Sequence, residues 1–459
     1  MRVPHTIPCN TYQVYHPSDT TENLQGEVNR TLRSEDVTWD KNIPSTLVTL
    51  CVQSLVSNFK DKQALQLLPD EDRCLLLETL PIDLPLIITV PLLEDGIYWK
   101  RCSQIRWQSL NDVRDYEGSW KRLYLERHLQ EYIENLAPED FVHSEVESLV
   151  HLCSSYVKRL NILQLQAPQP PTFLGSNGYE WPTEIVSVDH INLEPFIKGL
   201  VCLEELHIMF GVRQCGMNFA WILFKFSAMD CLNIGMGLNS AKCMKTLRIH
   251  RSTLDDTLVT ILLQHMVKNT TITRVDFSHC NIGDNGALAI GKLLIFQPTL
   301  KELVLCNNKI GAAGASGLAS ALTHRSSPLK LLDLRLNVIG NQGVTDLCSV
   351  LTNSEHLQAL ILVSCGFTEQ AAIKIGHMLQ QNTSLQALDV SNNYLGEVGG
   401  EALSLGIKDN TTLLKLDHRM TGITKECESS INMSLKHNID RYKRKQRELA
   451  EATGNNDEE

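Results

Sequence analysis

The chain has 459 residues, 43% hydrophobic and 21% charged, a balance typical of soluble globular proteins that excludes a wholly disordered chain. Its 42 Lys and Arg against 53 Asp and Glu give a net charge of −11. This argues against a dedicated nucleic-acid-binding protein, because neutralising phosphates usually requires a basic surplus. All six Trp and nine of the ten Tyr lie outside residues 244–440, so we expect two kinds of structure in one chain.

The N-terminal residues 1–40 have no apolar core segment, which predicts an irregular arm and no secretory signal. The most apolar stretch, residues 74–93, is interrupted by three prolines and two acidic residues, so it predicts packed helix and loop and no contact with a membrane. The 14 Cys are dispersed without a C-x-x-C pair, a pattern typical of reduced thiols in an intracellular protein. The sequons at Asn269, Asn382 and Asn410 are then expected to carry no glycan, since glycosylation requires secretion.

Residues 41–154 are predicted to form a small helical domain rich in Trp. Helical spacing relates two sets of residues, Leu47, Leu50, Cys51, Leu55 and Phe59, and Leu125, Leu129, Tyr132, Ile133 and Leu136. Aromatic residues alternate with Lys and Arg in the segments 98–101 and 119–124. Such residues can stack on RNA, but we favour rings that anchor a helical core with basic stems at its edge. The segment also loosely resembles an F-box ahead of repeats.

Residues 155–243 carry a degenerate form of the repeat that follows them. Leu203, Leu206 and Ile208 fit a short strand, and Leu160, Leu163 and Leu165 fit an earlier one. The next strand comes only after an insertion rich in Phe, Met and Trp at residues 210–240. Terminal repeats are often irregular because they cap the core, so we predict an array from about residue 155 to residue 440.

Residues 244–440 contain a regular repeat, L-x-x-L-x-L-x-x-(N/C)-x-(L/I), with steps of 28 or 29 residues. Its seven copies start at Met244, Ile272, Leu300, Leu329, Leu357, Leu385 and Leu413. Strand alternation points offsets 3 and 5 into the core, and the small polar or thiol residue at offset 8 is expected to bond backbone groups. The run that follows, such as residues 315–322, predicts a helix. The fold class is therefore α/β, a leucine-rich-repeat solenoid of the ribonuclease-inhibitor-like horseshoe class, preceded by a small all-α domain.

Residues 441–459 form a charged tail. Its positive charges are concentrated at Arg441, Lys443, Arg444, Lys445 and Arg447. Two interpretations stay open for this cluster. It forms either a solvated end of a terminal helix or a salt-sensitive electrostatic contact with an acidic neighbour such as tubulin.

The inner face of the solenoid is formed by offsets 2, 4 and 6, which point away from the buried residues. Most of these positions carry mixed charge. The exception is an apolar strip across three consecutive strands, flanked by Asp333 and Arg335 and consisting of Val304, Leu331, Ala359, Ile361 and Val363. Exposed apolar patches often mark partner sites, so we predict a protein–protein contact there. The alternative is that neighbouring side chains or a packed loop cover the strip.

The sequence predicts no catalytic residue, no metal and no cofactor. The segment 286–292 imitates a phosphate-binding loop, but Leu293 stands where Ser or Thr would bind magnesium, and the segment lies in a predicted helix. The His residues form no H-E-x-x-H motif, and His207, His250 and His279 are expected on a strand face or in a turn. No G-x-S-x-G motif occurs, so an α/β-hydrolase nucleophile has no support.

One family resemblance rests on the order of these segments. YWKRCSQIRW at 98–107 is followed by SWKRLYLERHLQEYIENL at 119–136, by the repeats and by a charged tail. This order resembles the dynein regulatory complex subunit 5 family, the t-complex-associated testis-expressed proteins. The resemblance implies a non-enzymatic subunit of the nexin–dynein regulatory complex, located in the cytoskeleton of motile cilia and sperm flagella. Its implied partners are the other subunits of that complex and, directly or indirectly, the doublet microtubules of the axoneme.

Three functional classes follow from the sequence. The first is a structural interaction subunit that helps to regulate dynein-driven bending and sperm motility, as the resemblance implies. The second is a substrate adaptor of a ubiquitin ligase, based on the F-box-like start. The third is a regulator of a small GTPase, because one family of GTPase activators uses similar repeats. Periodicity and composition alone reach only an intracellular leucine-rich-repeat binding protein.

Overall fold

The structure, a computed structural model, describes residues 46–59, 65–107, 109, 112–166, 189–213, 224–324 and 328–454. The predicted arm at 1–40, part of the predicted insertion at 210–240 and the last residues of the predicted tail lie outside the described residues. The chain divides into two units, Met1–Leu110 and Asn111–Glu459.

The first unit contains the helices α1 Leu47–Ser57, α2 Asp70–Thr79, α3 Leu86–Leu92 and α4 Ile97–Arg106. The Arg101 guanidinium of α4 donates hydrogen bonds to the carbonyls of Leu77 (2.6 Å) and Leu80 (3.2 Å), where α2 ends. The predicted helix at Leu47 forms, but Leu47 is 77% exposed and Val52 faces the core instead. Of the other predicted residues, Leu50 and Cys51 are exposed, whereas Leu55 is half-buried and Phe59 is buried.

The second unit is built on a parallel sheet in which the strands lie side by side in chain order. The strands are β1 Arg159–Ile162, β2 Glu205–Ile208, β3 Thr246–Ile249, β4 Arg274–Asp276, β5 Glu302–Val304, β6 Leu331–Asp333, β7 Ala359–Ile361, β8 Ala387–Asp389 and β9 Lys415–Asp417. Its helices are α5 Trp120–Asn135, α6 His143–Cys153, α7 Glu194–Gly199, α8 Ala228–Ser240, α9 Asp256–Met266, α10 Asp284–Phe296, α11 Ala312–Leu322, α12 Gly340–Leu351, α13 Glu369–Gln381, α14 Gly396–Asp409 and α15 Lys425–Gly454. This arrangement confirms the predicted α/β repeat fold.

The repeats stack because each strand buries alternate residues and each turn is bonded to the next repeat. Leu303 and Leu305, at offsets 3 and 5, are fully buried. The Asn308 amide, at offset 8, donates to the carbonyls of Phe277 (2.8 Å) and Leu305 (3.1 Å). Its oxygen accepts from the Ile282 amide at 3.1 Å. One side chain thus satisfies backbone groups in two repeats, as the offset-8 pattern predicts.

A second row of buried amides lies where each helix turns back into a strand. Asn382 donates to the Leu351 carbonyl at 2.6 Å and accepts from the Leu385 amide at 2.8 Å. Asn269 and Asn410 make equivalent bonds, and these three residues are the Asn of the three sequons. The sequon Asn side chains are therefore structural, and they are 3–4% exposed.

The front end of the array differs from the predicted one in register. Leu160, Ile162 and Leu165 are buried, whereas Leu163 is only half-buried. The strand β1 covers Arg159–Ile162, so Leu160 and Ile162 point to the same side and Leu163 does not. The predicted buried residues Leu160, Leu163 and Leu165 are thus corrected to Leu160, Ile162 and Leu165. Leu160 and Ile162 are the two buried residues of one strand, as at offsets 3 and 5 of the later repeats.

The Trp-Lys-Arg segment at 119–136 forms α5, which packs along β1. Leu125, Leu129 and Ile133 are fully buried in this second unit. The units divide after Leu110, whereas the sequence placed a domain boundary at 154, because α5 belongs with the solenoid by its contacts. The sequence-predicted helical domain thus contains both a separate unit and a cap of the repeats.

The C-terminal end of the array is covered by α15, a helix of 30 residues. Its first half buries Ile431, Leu435 and Asn438. Its later residues include the basic cluster of the predicted tail, and Arg441, Lys443, Arg444, Lys445 and Arg447 are all exposed. In the ranges that the structure describes, no helix is both long and apolar enough to span a membrane.

Candidate functional site

The open face of the sheet, on the side opposite the repeat helices, is the candidate interaction surface. Register places Leu331 beside Ala359, and Ala359 beside Ala387. Ile361 lies between Asp333 and Asp389 in the neighbouring row. Leu331, Ala359, Ile361 and Val363 are each half-buried, so these four predicted residues share one accessible apolar surface.

Two of the seven predicted residues contribute little to that surface. Val304 is 9% exposed and Asp333 is 1% exposed, because neighbouring side chains cover both. Register also places Asp333 between Val304 and Ile361, which interrupts the predicted strip. The apolar surface is therefore concentrated on β6 and β7, and it continues to Ala387 on β8.

Asp333 and Arg335 form an ion pair at the edge of this surface. Arg335 Nε donates to Asp333 Oδ2 at 2.8 Å, and its backbone amide donates to Oδ1 at 3.1 Å. The hydrogen bonds to Asp333 raise the pKa of Arg335. Because the guanidinium is held in place and remains 44% exposed, it can present a fixed donor to an acidic group of a partner.

The same turn recurs along the open face. Asp276, Asp389 and Asp417, at offset 4, each accept a hydrogen bond from the backbone amide two residues later, at 3.0–3.2 Å. A short polar side chain that bonds its own backbone in this way ends a strand. Asp333 on β6 makes the same bond, so the Asp residues of the face have a structural explanation and only the apolar residues of β6 and β7 are distinctive.

The N-terminal part of the face is polar. His207, Arg248 and Asp276 follow one another in register on β2, β3 and β4, and Arg248 Nε lies 3.1 Å from Asp276 Oδ2. Burial lowers the pKa of His207, and burial together with Arg248 lowers the pKa of His250 to about 4. Both imidazoles are therefore neutral at physiological pH.

No group of three or more His, Cys, Asp or Glu able to hold a metal ion occurs in the described ranges. The segment that imitates a phosphate-binding loop lies inside α10, and all its backbone amides after that of Gly286 are within the helix and not at its N-terminus. Of the 12 Cys in the described part of the chain, all are free thiols, and burial raises the pKa of Cys280 and Cys365 to about 12. Such thiols are poor nucleophiles.

Sequence reasoning missed the residues that close the front of the sheet. Glu126 Oε1 accepts hydrogen bonds from the amides of Lys158 (2.9 Å) and Arg159 (3.0 Å) and from Arg122 Nε (2.7 Å). Glu134 Oε1 accepts from the Leu163 amide at 2.8 Å. In the sequence these two residues are among three Glu of a helix that also carries Lys and Arg, so nothing distinguished them as buried.

Comparisons with known proteins agree with the repeats. A model described as "Leucine Rich repeat" matches residues 268–291, 296–319, 325–348 and 381–404. Ribonuclease inhibitor from Sus scrofa is 30% identical over 198 residues, which cover 37% of this chain and 43% of that protein. These similarities confirm the ribonuclease-inhibitor-like fold class predicted from the sequence.

The chain is also similar to proteins named "Dynein regulatory complex subunit 5". The Mus musculus protein is 36% identical over 269 residues, which cover 57% of this chain and 54% of that protein. The Chlamydomonas reinhardtii protein is 28% identical over 216 residues, covering 47% of this chain and 50% of that protein. The resemblance seen in the sequence is confirmed. The chain spans about half the length of these curated relatives.

Proposed function

We propose that this protein is a non-enzymatic, structural and interaction subunit of the nexin–dynein regulatory complex in the axoneme of motile cilia and sperm flagella. The observation that carries the proposal is the similarity to proteins named dynein regulatory complex subunit 5 in a mammal and in an alga. The fold supports it, since a solenoid presents a long surface to partners. As such a subunit it helps to regulate dynein-driven bending and sperm motility.

The partners in this proposal are other subunits of the same complex, and the open face of β6 and β7 is the contact surface. Leu331, Ala359, Ile361 and Val363 supply apolar area, and Arg335 supplies an exposed guanidinium. Apolar area fits the core of an interface, and Arg is among the residues that most often dominate its binding energy.

The doublet microtubules are a second, direct or indirect, partner in this proposal. The exposed basic cluster of α15 gives this acidic chain one concentrated positive surface. Arg441 and Lys445 also line a cleft of about 410 Å³ together with Thr383, Thr411 and Thr412. A contact made by these cations weakens as salt increases, because exposed charges are screened.

Extraction from axonemes tests the proposal. The tagged protein is expressed in a ciliated cell, the membrane is removed with detergent, and the released fraction is measured against salt concentration. We expect the protein to stay on demembranated axonemes and to be released at the same salt concentration as other subunits of the regulatory complex. A diffuse protein that is lost completely with detergent would contradict the proposal and favour the adaptor or GTPase hypotheses.

A further inference from the structure

In the seven regular repeats, the residue at offset 7 has a left-handed backbone. Its φ lies between 50° and 59° at Arg251, His279, Asn307, Leu336, Ser364, Asn392 and Met420. Asn adopts this conformation more readily than most other residues with a side chain, and large apolar residues are rarely found there. Asn occupies the position in two repeats, so Leu336 and Met420 are unusual occupants of the same backbone site.

The side chains of these two residues are also exposed. Leu336 is 46% exposed and Met420 is 82% exposed. A strained backbone and an apolar side chain in water both disfavour the folded state, and an Asn would avoid both. All seven repeats share this φ, so the backbone conformation belongs to the repeat itself; the exposed apolar side chains of Leu336 and Met420 point to a contact outside the fold.

Two more apolar side chains are exposed beside them, at offset 9. Val338 is 80% exposed and Tyr394 is 74% exposed. We call Leu336, Val338, Tyr394 and Met420 the rim patch, because they lie at the edge of the sheet where strands lead into helices. The patch belongs to the repeats of β6, β8 and β9. Exposed apolar residues that cluster in this way mark interaction surfaces.

The repeat of β7 lies between those of Val338 and Tyr394 and has no side chain at the equivalent position, which leaves a gap in the patch that we call the notch. Its offset-9 residue is Gly366, with φ of 70° and no atom within 4 Å of the position that a Cβ would take. Val338 and Tyr394 are two strand spacings apart, about 10 Å. The open position between them can therefore accept a side chain of a partner helix that packs on Val338 and Tyr394.

Acidic residues border the patch on the side of the repeat helices. Glu369 and Glu397 are exposed in the first turns of α13 and α14. The Glu369 carboxylate lies 4.0 Å from the Cβ position of Gly396, and the Tyr394 ring lies 3.9 Å from the same position. Within the described ranges, neither Glu369 nor Glu397 forms an ion pair. A partner that covers the patch thus meets negative charge on this side.

We propose that the rim patch is a docking site for an amphipathic helix of a partner protein. The apolar side of that helix packs on Val338 and Tyr394 over the notch at Gly366, and its Lys or Arg residues face Glu369 and Glu397. This surface is separate from the open face of β6 and β7. It does not depend on the function proposed above, and its failure leaves that proposal intact.

The test measures stability and binding in the same variants of the full chain. The probe is an 18-residue model peptide of Leu and Lys with Leu at helical i, i+3, i+4 and i+7 spacing, followed by fluorescence anisotropy. In the double variant Leu336→Asn/Met420→Asn we expect binding to weaken at least ~10-fold, because buried apolar anchors dominate such contacts. We expect its unfolding midpoint to rise by about 2 °C, because the strain is relieved.

Three controls separate docking from general attraction to an acidic protein. His279→Asn relieves the same φ outside the patch and should keep the affinity of the original chain. Val338→Ser/Tyr394→Ser, at freely exposed positions, should lose binding without any change in the midpoint. A peptide with Glu in place of Lys should bind at least ~10-fold more weakly, since Glu369 and Glu397 then repel it.

Each contrary outcome overturns the proposal. A lower midpoint for Leu336→Asn/Met420→Asn would show that these side chains stabilise the fold and are not kept for a partner. Unchanged binding by both double variants would place the peptide elsewhere on the acidic surface. Absence of peptide binding by the original chain would exclude an amphipathic basic helix as the occupant.

Discussion

The two ends of the sheet are closed by helices with opposite chemistry. At β1, the carboxylates of Glu126 and Glu134 on α5 accept hydrogen bonds from the amides of the edge strand. At β9, α15 covers the last repeat mainly with apolar side chains, and Asn438 donates one hydrogen bond to the Leu413 carbonyl at 3.0 Å. One cap therefore buries charge along the strand, and the other buries mainly apolar area.

The N-terminal cap uses charge because of how the helix α5 lies along the strand β1. Glu126 and Glu134 are eight residues apart, about 12 Å along a helix, so they reach amides near both ends of β1. A carboxylate buried with its hydrogen-bond donors is costly to disrupt, because each donor is left unpaired. The N-terminal end should thus be more sensitive to a single polar substitution than the C-terminal end.

The largest expected effect is at the N-terminal cap. Glu126→Leu should lower the free energy of unfolding by about 3 kcal/mol, because it leaves two backbone amides and the Arg122 guanidinium buried without their acceptor. Hydrogen exchange should show the loss first at the amides of Lys158 and Arg159. Glu117→Gln, at an exposed partner of the same Arg122, is the control and should cost less than about 1 kcal/mol. Equal effects at the two positions would contradict the capping role of Glu126.

A smaller effect is expected at the C-terminal cap. Asn438→Leu should lower the free energy of unfolding by about 1–2 kcal/mol, because a single buried carbonyl loses its donor. Asn432→Leu on the exposed side of the same helix should change it by less than about 0.5 kcal/mol. If Asn438→Leu proved as damaging as Glu126→Leu in urea unfolding, the contrast between the two ends would be wrong.

The pH dependence of the N-terminal cap gives a subtler test. Burial raises the pKa of Glu126 above its ordinary value, although Arg122 and two amides oppose the shift. The fold thus favours the protonated carboxyl, and its contribution is complete below the ordinary Glu pKa and is lost as pH rises through the raised pKa. We expect the original chain to lose stability relative to Glu126→Gln as pH rises from about 4. The opposite trend in unfolding free energy would show that the ion pair dominates.

The smallest effect on stability is expected between the two ends, on the open face. Ile361→Lys should leave the unfolding midpoint nearly unchanged, because the side chain is half-buried and lies between two Asp residues. On the proposed function it should release the protein from axonemes at lower salt, whereas the control Gln380→Lys, at an exposed position of α13 in the same repeat, should not. A clear loss of folding would show that Ile361 belongs to the core and not to a partner surface.

The sequence predicted the regular repeats well and their ends poorly. The spacing of Leu303, Leu305 and Asn308 identified strand, core side and turn, because each repeat makes the same contacts with the next one. At the front end the spacing was ambiguous by one residue, and Leu163 was assigned to the core in place of Ile162. A repeat without regular neighbours cannot be aligned with adjacent copies, so its sequence does not decide which residues of its strand are buried.

The candidate surfaces show the same division. The sequence found the apolar residues of the open face, but it could not show that Val304 and Asp333 are covered. It also contained the signal for the rim patch, since Leu336 and Met420 occupy a position where other repeats carry Asn or a polar residue. Recognising that signal requires the left-handed φ of the position, which only the backbone shows.

The amino-acid sequence by itself determined the repeat length, the side of each strand that is buried and the row of side chains that bond successive turns. These follow from local periodicity and recur with every repeat. The tertiary structure decided that a helix at 120–135 caps β1, which residues of the open face remain accessible and where exposed apolar side chains converge. Those properties depend on contacts between segments far apart in the chain, and for such contacts one sequence carries no periodic signal.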